Sequence, residues 1–90
     1  MAPVTVYGAD WCVHSVQTRE DLDSLGMNYD YINVDEDKEA EKEVIRWNGG
    51  EKRKIPVVVI KHDDSESMVV APTRKELESE LTRLGLMNAA

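Results

Sequence analysis

The residues with chemistry to offer lie in one stretch, Asp10-Trp11-Cys12-Val13-His14-Ser15, which holds the chain's single cysteine. Apolar Val4-Thr5-Val6-Tyr7-Gly8 precedes it and reads as a short buried strand. Val16 to Leu25 follows, a long polar run without Gly or Pro, and reads as a helix. A cysteine at that junction sits at a helix N-terminus, where unpaired N–H groups and the positive end of the dipole favour an anion. Such surroundings raise the thiolate fraction, and the thiolate is the nucleophile. His14 lies in the same turn and, when protonated, adds a second stabilising charge. A lone intracellular cysteine is most often a small buried hydrophobe. The strand–cysteine–helix setting argues otherwise, because a helix start at the end of a strand is usually exposed. Cys12 is read as the reactive centre.

Composition narrows the classes around that thiol. Ninety residues suit one domain, residues 1–90, with a single modest core. A net charge of −7 argues against nucleic acid and against anionic membrane surfaces, both of which repel an acidic protein. No apolar run approaches the roughly 20 residues of a membrane span. Met1-Ala2-Pro3-Val4 lacks the basic and apolar regions of a signal peptide, so a reducing cytoplasm is the expected compartment. One cysteine excludes an internal disulfide framework. No metal site is expected, since Cys12, His14 and His62 lack the paired spacing of zinc ligands.

The remaining elements must position the cysteine. Val4 to Tyr7 is apolar enough to be a central, parallel strand. In the helix after it, Val16, Leu22 and Leu25, with Thr18 beside them, are the expected inward residues, and Gly26 closes it. Tyr29 to Val34 alternates as a strand, with Tyr29, Tyr31 and Asn33 on one face and Ile32 and Val34 on the other. Asp35-Glu36-Asp37 starts a second helix, whose stripe is Ala40, Val44 and Trp47, and Asn48-Gly49-Gly50 stops it. Glu39, Glu41 and Glu43 with Lys42 and Arg46 form a solvated face.

The basic run Lys52-Arg53-Lys54 leads to Ile55-Pro56 and a buried strand, Val57 to Ile60, with the proline at its head where it costs no ladder bond. The turn His62-Asp63-Asp64-Ser65 joins it to Met68-Val69-Val70-Ala71 in an antiparallel hairpin. Thr73 with Glu76 makes a capping box for a last helix with Leu77, Leu81 and Leu84 inward and Gly85 at its end. The order is βαβαββα. The first two strands, joined through a helix, run parallel with a right-handed crossover.

A helix-start cysteine, a branched residue before proline at a strand head, and this element order together resemble the thioredoxin superfamily, and within it the glutaredoxins. Trp11-Cys12-Val13-His14-Ser15 is similar to the family's C-x-x-C/S motif, and Lys54-Ile55-Pro56 to its T-V-P segment, whose proline is cis. Asn48-Gly49-Gly50 and Ala71-Pro72-Thr73 resemble the mycoredoxin branch. The resemblance implies an α/β, thioredoxin-like fold: a four-stranded mixed sheet with helices on both faces. It departs from the family at three points. Ser15 stands where a resolving cysteine would be, Ala9 where many glutaredoxins carry a basic residue, and Val70-Ala71-Pro72-Thr73-Arg74 where others hold the γ-glutamyl end of glutathione.

What the resemblance implies is a thiol–disulfide oxidoreductase in which Cys12 attacks a disulfide, with His14 and Ser15 as its catalytic neighbours. Trp11, Val13, Lys54, Ile55, Pro56, Ala71 and Thr73 would contact substrate. No bound cofactor is implied. The co-substrate would be a low-molecular-weight thiol, mycothiol or glutathione, and the other partners oxidised or thiolated proteins met by a monomer. With a native Ser15 the route is monothiol. With Ser15 in place of a resolving cysteine, a pattern that His14 before it favours, the chain is a trapping variant of a dithiol enzyme. The alternatives are an iron–sulfur cluster carrier and a redox-inactive interaction module of the same fold. Lys52, Arg53 and Lys54 read either as a solvated loop or as a dock for a carboxylate.

Overall fold

A computed structural model of the chain describes residues 2–50 and 54–87. Seven elements follow one another: β1 (Val4–Gly8), α1 (Val13–Ser24), β2 (Tyr29–Asn33), α2 (Lys38–Trp47), β3 (Val57–His62), β4 (Ser65–Val70) and α3 (Arg74–Arg83). The sheet order is β2-β1-β3-β4. β1 is central, as its valines suggest, but it is parallel only to β2; its other neighbour, β3, runs antiparallel.

Period-two alternation divides the strands between two cores. Val4, Val6, Val58 and Ile60 turn to one face, where Leu22 of α1, Leu77 and Leu81 of α3 and its C-cap Leu84 cover them. Tyr29 and Tyr31 join that layer. Val57 and Val59 turn the other way and meet Val34, Ala40 and Val44, with Tyr7, Ile32 and Trp47 at the margin. Helices therefore lie on both faces, α1 and α3 on one and α2 on the other.

Local signals set most boundaries. Asp37 caps α2 by accepting the Ala40 N–H at 3.1 Å, satisfying one of the unpaired donors of its first turn. Thr73 and Glu76 close their capping box on α3 in both directions. Gly26, Gly49, Gly50 and Gly85 follow their helices with positive φ. The hairpin turns through Asp63-Asp64, Asp63 at φ 53°, and pairs His62 with Ser65. β4 thus begins three residues before Met68, because the two-residue turn carries the ladder back to Ser65, and it stops at Val70 rather than Ala71.

Helix α1 corrects two expectations. It begins at Val13, three residues before Val16, and Val16 itself is 37% exposed. The inward residues are Ser15, Thr18, Asp21 and Leu22. Phase explains this: positions 15, 18 and 22 share one face, and Val16 lies a hundred degrees round from Ser15. Buried Asp21 is tied to α3 by Arg74 at 3.9 Å and accepts from Gln17 at 3.0 Å, which compensates its loss of water. Leu25, Leu86 and Met87 pack at the edge of the same core.

Candidate active site

Four chain segments meet at one end of the sheet. Register puts them there: Tyr7 faces Val57 and Val57 faces Val70, so the segments beyond Gly8, before Val57 and after Val70 emerge side by side. β2 ends there too, its pairing of Asn33 with Gly8 continuing as a Val34 N–H bond to the Gly8 carbonyl at 2.9 Å. Glycine is required at position 8 by contact. A Cβ there would lie 2.6 Å from Ser15 Oγ and 2.9 Å from Ser15 Cβ.

The turn from β1 to α1 presents the thiol. Cys12 donates its N–H to the Ala9 carbonyl at 3.1 Å and accepts from Val16 N–H at 3.0 Å, which makes it the N-cap of α1. Its side chain forms no capping hydrogen bond among the described residues, and the first turn of the helix contains no acidic residue. The first turn of α1 leaves backbone N–H donors unpaired at the helix end that carries Cys12, where an anion is favoured. Cys12 is partly exposed, between Trp11 at 68% and Val13 at 83% exposure. The thiol therefore has apolar neighbours on a surface open to a large partner.

Second contacts fix the turn. Trp11 Nε1 donates to Asp35 Oδ2 at 2.6 Å, and Tyr31 OH donates to Asp10 Oδ1 at 2.8 Å. Arg19 lies over the Tyr31 ring, 3.9 Å from its centroid, and 3.9 Å from Asp10. Burial, with the hydrogen bond to Asp10 next in weight, pushes the Tyr31 phenol up to about 12. Asp10 and Asp35 thus anchor the thiol's turn to β2 and the loop after it. Neither role is visible from local sequence, since the partners lie 21 and 24 residues apart.

The other expected site residues fall as follows. Ser15 is fully buried and its Oγ accepts the Ala9 N–H at 3.4 Å. His14 Nε2 lies 3.1 Å from the Pro72 carbonyl oxygen. The Ile55–Pro56 bond is cis, as the resemblance implied, and Pro56 is buried. Its carbonyl accepts the Ala71 N–H at 2.7 Å, and Ala71 adopts a left-handed φ of 48°. Thr73 is the N-cap of α3. Lys54 is exposed, and its carbonyl accepts from Asn48 Nδ2 at 3.0 Å, so the end of α2 holds the start of the proline segment. Sequence reasoning gave Asn48 the task of stopping the helix and a part in the mycoredoxin resemblance, but no contact with the proline segment. Lys52 and Arg53 lie outside the described residues. Trp47, expected in the core, stacks edge-on with Tyr7 at 5.1 Å between centroids.

A glutaredoxin family model matches residues 4–64. The chain belongs to the glutaredoxin family. Mycoredoxin 1 of Corynebacterium glutamicum is 41% identical over 58 residues, spanning 64% of this chain and 70% of that protein. A glutaredoxin of Archaeoglobus fulgidus superposes with a TM-score of 0.65 at 27% identity, covering 93% of this chain and 86% of its own. The glutaredoxin of Methanosarcina mazei Go1 gives 0.64 at 29% identity over 93% and 79%. The fold is the thioredoxin-like α/β fold of these glutaredoxins, and the family is one of thiol–disulfide oxidoreductases. The matched region contains the β1–Cys12–α1 turn, the end of β2 and the Ile55–Pro56 segment, three of the four segments that meet at the site. Among the described residues no helix is long and apolar enough to cross a membrane.

Proposed function

We propose that this glutaredoxin reduces mixed disulfides between proteins and a low-molecular-weight thiol, with Cys12 as its nucleophile. The observation that carries the reading is the placement of Cys12: the sole cysteine, partly exposed, N-cap of α1, between exposed Trp11 and Val13. The Cys12 thiolate attacks one sulfur of the mixed disulfide; a new S–S bond forms, the old one breaks, and the departing sulfur leaves as thiolate. Helix-end donors stabilise the attacking anion. Trp11 and Val13 form the apolar rim against the substrate. The Lys54–Ile55–Pro56 and Ala71–Pro72–Thr73 segments flank the bound sulfur, the first offering backbone groups to an extended peptide.

Resolution then needs a sulfur that the chain does not have. Ser15 supplies a hydroxyl, so a second low-molecular-weight thiol must attack the Cys12 mixed disulfide, and the chain as it stands works by a monothiol route. The likeness to mycoredoxin 1 favours mycothiol over glutathione as that thiol. So does Val70-Ala71-Pro72-Thr73-Arg74, which lacks the family's glutathione-holding pattern.

The test is to incubate the protein with mycothiol disulfide and with glutathione disulfide and weigh the adducts. One thiol added at Cys12, absent from Cys12→Ser and removed by excess of the same thiol, is the expected result. No adduct with either disulfide would overturn the reading.

A further inference from the structure

We infer that His14 is a positioning residue: its ring N–H holds the Pro72 carbonyl and fixes the Ala71–Pro72–Thr73 corner against the start of α1. This rests on the reading of Cys12 as the reactive thiol. A carbonyl oxygen only accepts, so in the 3.1 Å contact it is His14 Nε2 that carries the hydrogen. The neutral tautomer with its hydrogen on Nε2 already makes this bond, and a charged ring would only strengthen it. The task therefore needs no charge on the ring.

The corner that His14 grips needs holding. Ala71 sits at φ 48°, a left-handed conformation that a residue with a Cβ adopts at a cost. One anchor is its own N–H, bonded to the Pro56 carbonyl at 2.7 Å. The second is Pro72, next in sequence, held by His14. Thr73 then caps α3. The bonds run in series, from the first turn of α1 through His14 to Pro72, and from Ala71 to Pro56. Three of the segments around the thiol are thus joined by one side chain and one backbone bond.

The sheet cannot do this alone. β3 and β4 fix Pro56 and Ala71 relative to each other, but α1 shares no ladder with them. His14, 58 residues from its partner, spans that gap and sets the spacing between the cysteine's helix and the far wall of the site. A wall free to drift would hold the mixed disulfide less well, so the loss falls on KM.

The experiment compares the full chain with His14→Gln and His14→Leu, reading single-amide hydrogen exchange and the KM for a mycothiolated and a glutathionylated peptide. Gln places an amide N–H donor near the former Nε2 and carries no charge; Leu has no donor. Expected in His14→Leu is about fivefold faster exchange of the Ala71 amide and about a fivefold higher KM, the weight of one neutral hydrogen bond. His14→Gln should stay close to the parent in both, and the Val58 amide in the sheet should be unchanged in all three. The inference is overturned if Ala71 exchange does not respond in His14→Leu. It is equally overturned if Gln and Leu behave alike, or if Ala71 and Val58 accelerate together. Absence of turnover with both peptides in every version would remove the proposed function, while the exchange data would still decide what His14 does.

Discussion

The backbone of Gly8, at the end of β1, rests directly on the side chain of Ser15 in α1, with room for no Cβ between them. This contact sets how deep the helix that carries Cys12 lies against the sheet. Gly8→Ala should therefore destabilise the fold by about 1–3 kcal/mol, the usual cost of overpacking. The strand gains less than that from replacing glycine. Chemical denaturation measures it: an unchanged midpoint would mean the helix can retreat freely.

Ser15→Cys should convert a protein that waits for an outside thiol into one that clears itself. Position 15 lies one turn from Cys12 on the same side of α1. A thiol there attacks the mixed disulfide intramolecularly, with an advantage of ~100-fold or more over the serine chain. Release of bound thiol from the pre-formed adduct, with none added, measures this. Equal release from the two versions would show that position 15 cannot reach the sulfur.

Thr18 is fully buried and its Oγ1 has no hydrogen-bond partner among the described residues. An unmade bond of that kind costs more than the hydroxyl contributes. Thr18→Val, equal in shape, should raise stability by about 1 kcal/mol, the desolvation released exceeding valine's small helix penalty. A fall in the denaturation midpoint would reveal a partner, such as a buried water.

Alkaline pH tests the Asp10–Tyr31 contact. The Tyr31 phenol is raised from 10.0 to about 12 by burial and by its bond to Asp10, so the folded state keeps a proton that the unfolded chain gives up. Its contribution is fully present below pH 10 and is lost as pH rises towards 12. Tyr31→Phe should flatten the loss of stability in that window. Burial also raises Tyr7, so only the difference between the two proteins is diagnostic. Identical pH profiles would count against the contact.

Much of the fold was legible because its signals are local. Alternation in Tyr29 to Val34 assigned both faces of β2, and Asp37, Thr73 and Glu76 marked helix starts where capping chemistry is short-range. Val16 misled because an apolar side chain suggested the inward face, whereas the fit of Ser15 to Gly8 sets the phase of α1. The place of Cys12, partly exposed at the start of α1, was legible from its junction. The partners of Trp11, His14 and Lys54 were not, since Asp35, Pro72 and Asn48 come to them through tertiary folding.

The two cores are unequally built, and that sets an order of failure. Among the described residues, the core between the sheet and α1 and α3 has eight buried residues, four of them leucines; the core under α2 has five, all valine or alanine. Burial is worth more for the larger side chains, so α2 is the more weakly fastened layer. On warming it should lift as a hatch while the sheet stays closed, and through Asn48 it would take the start of the proline segment with it. Residual activity would then fade before the fold melts. Hydrogen exchange should see α2 amides open at lower denaturant than those of β1 and β3, and simultaneous opening of all three would show that the hatch does not exist.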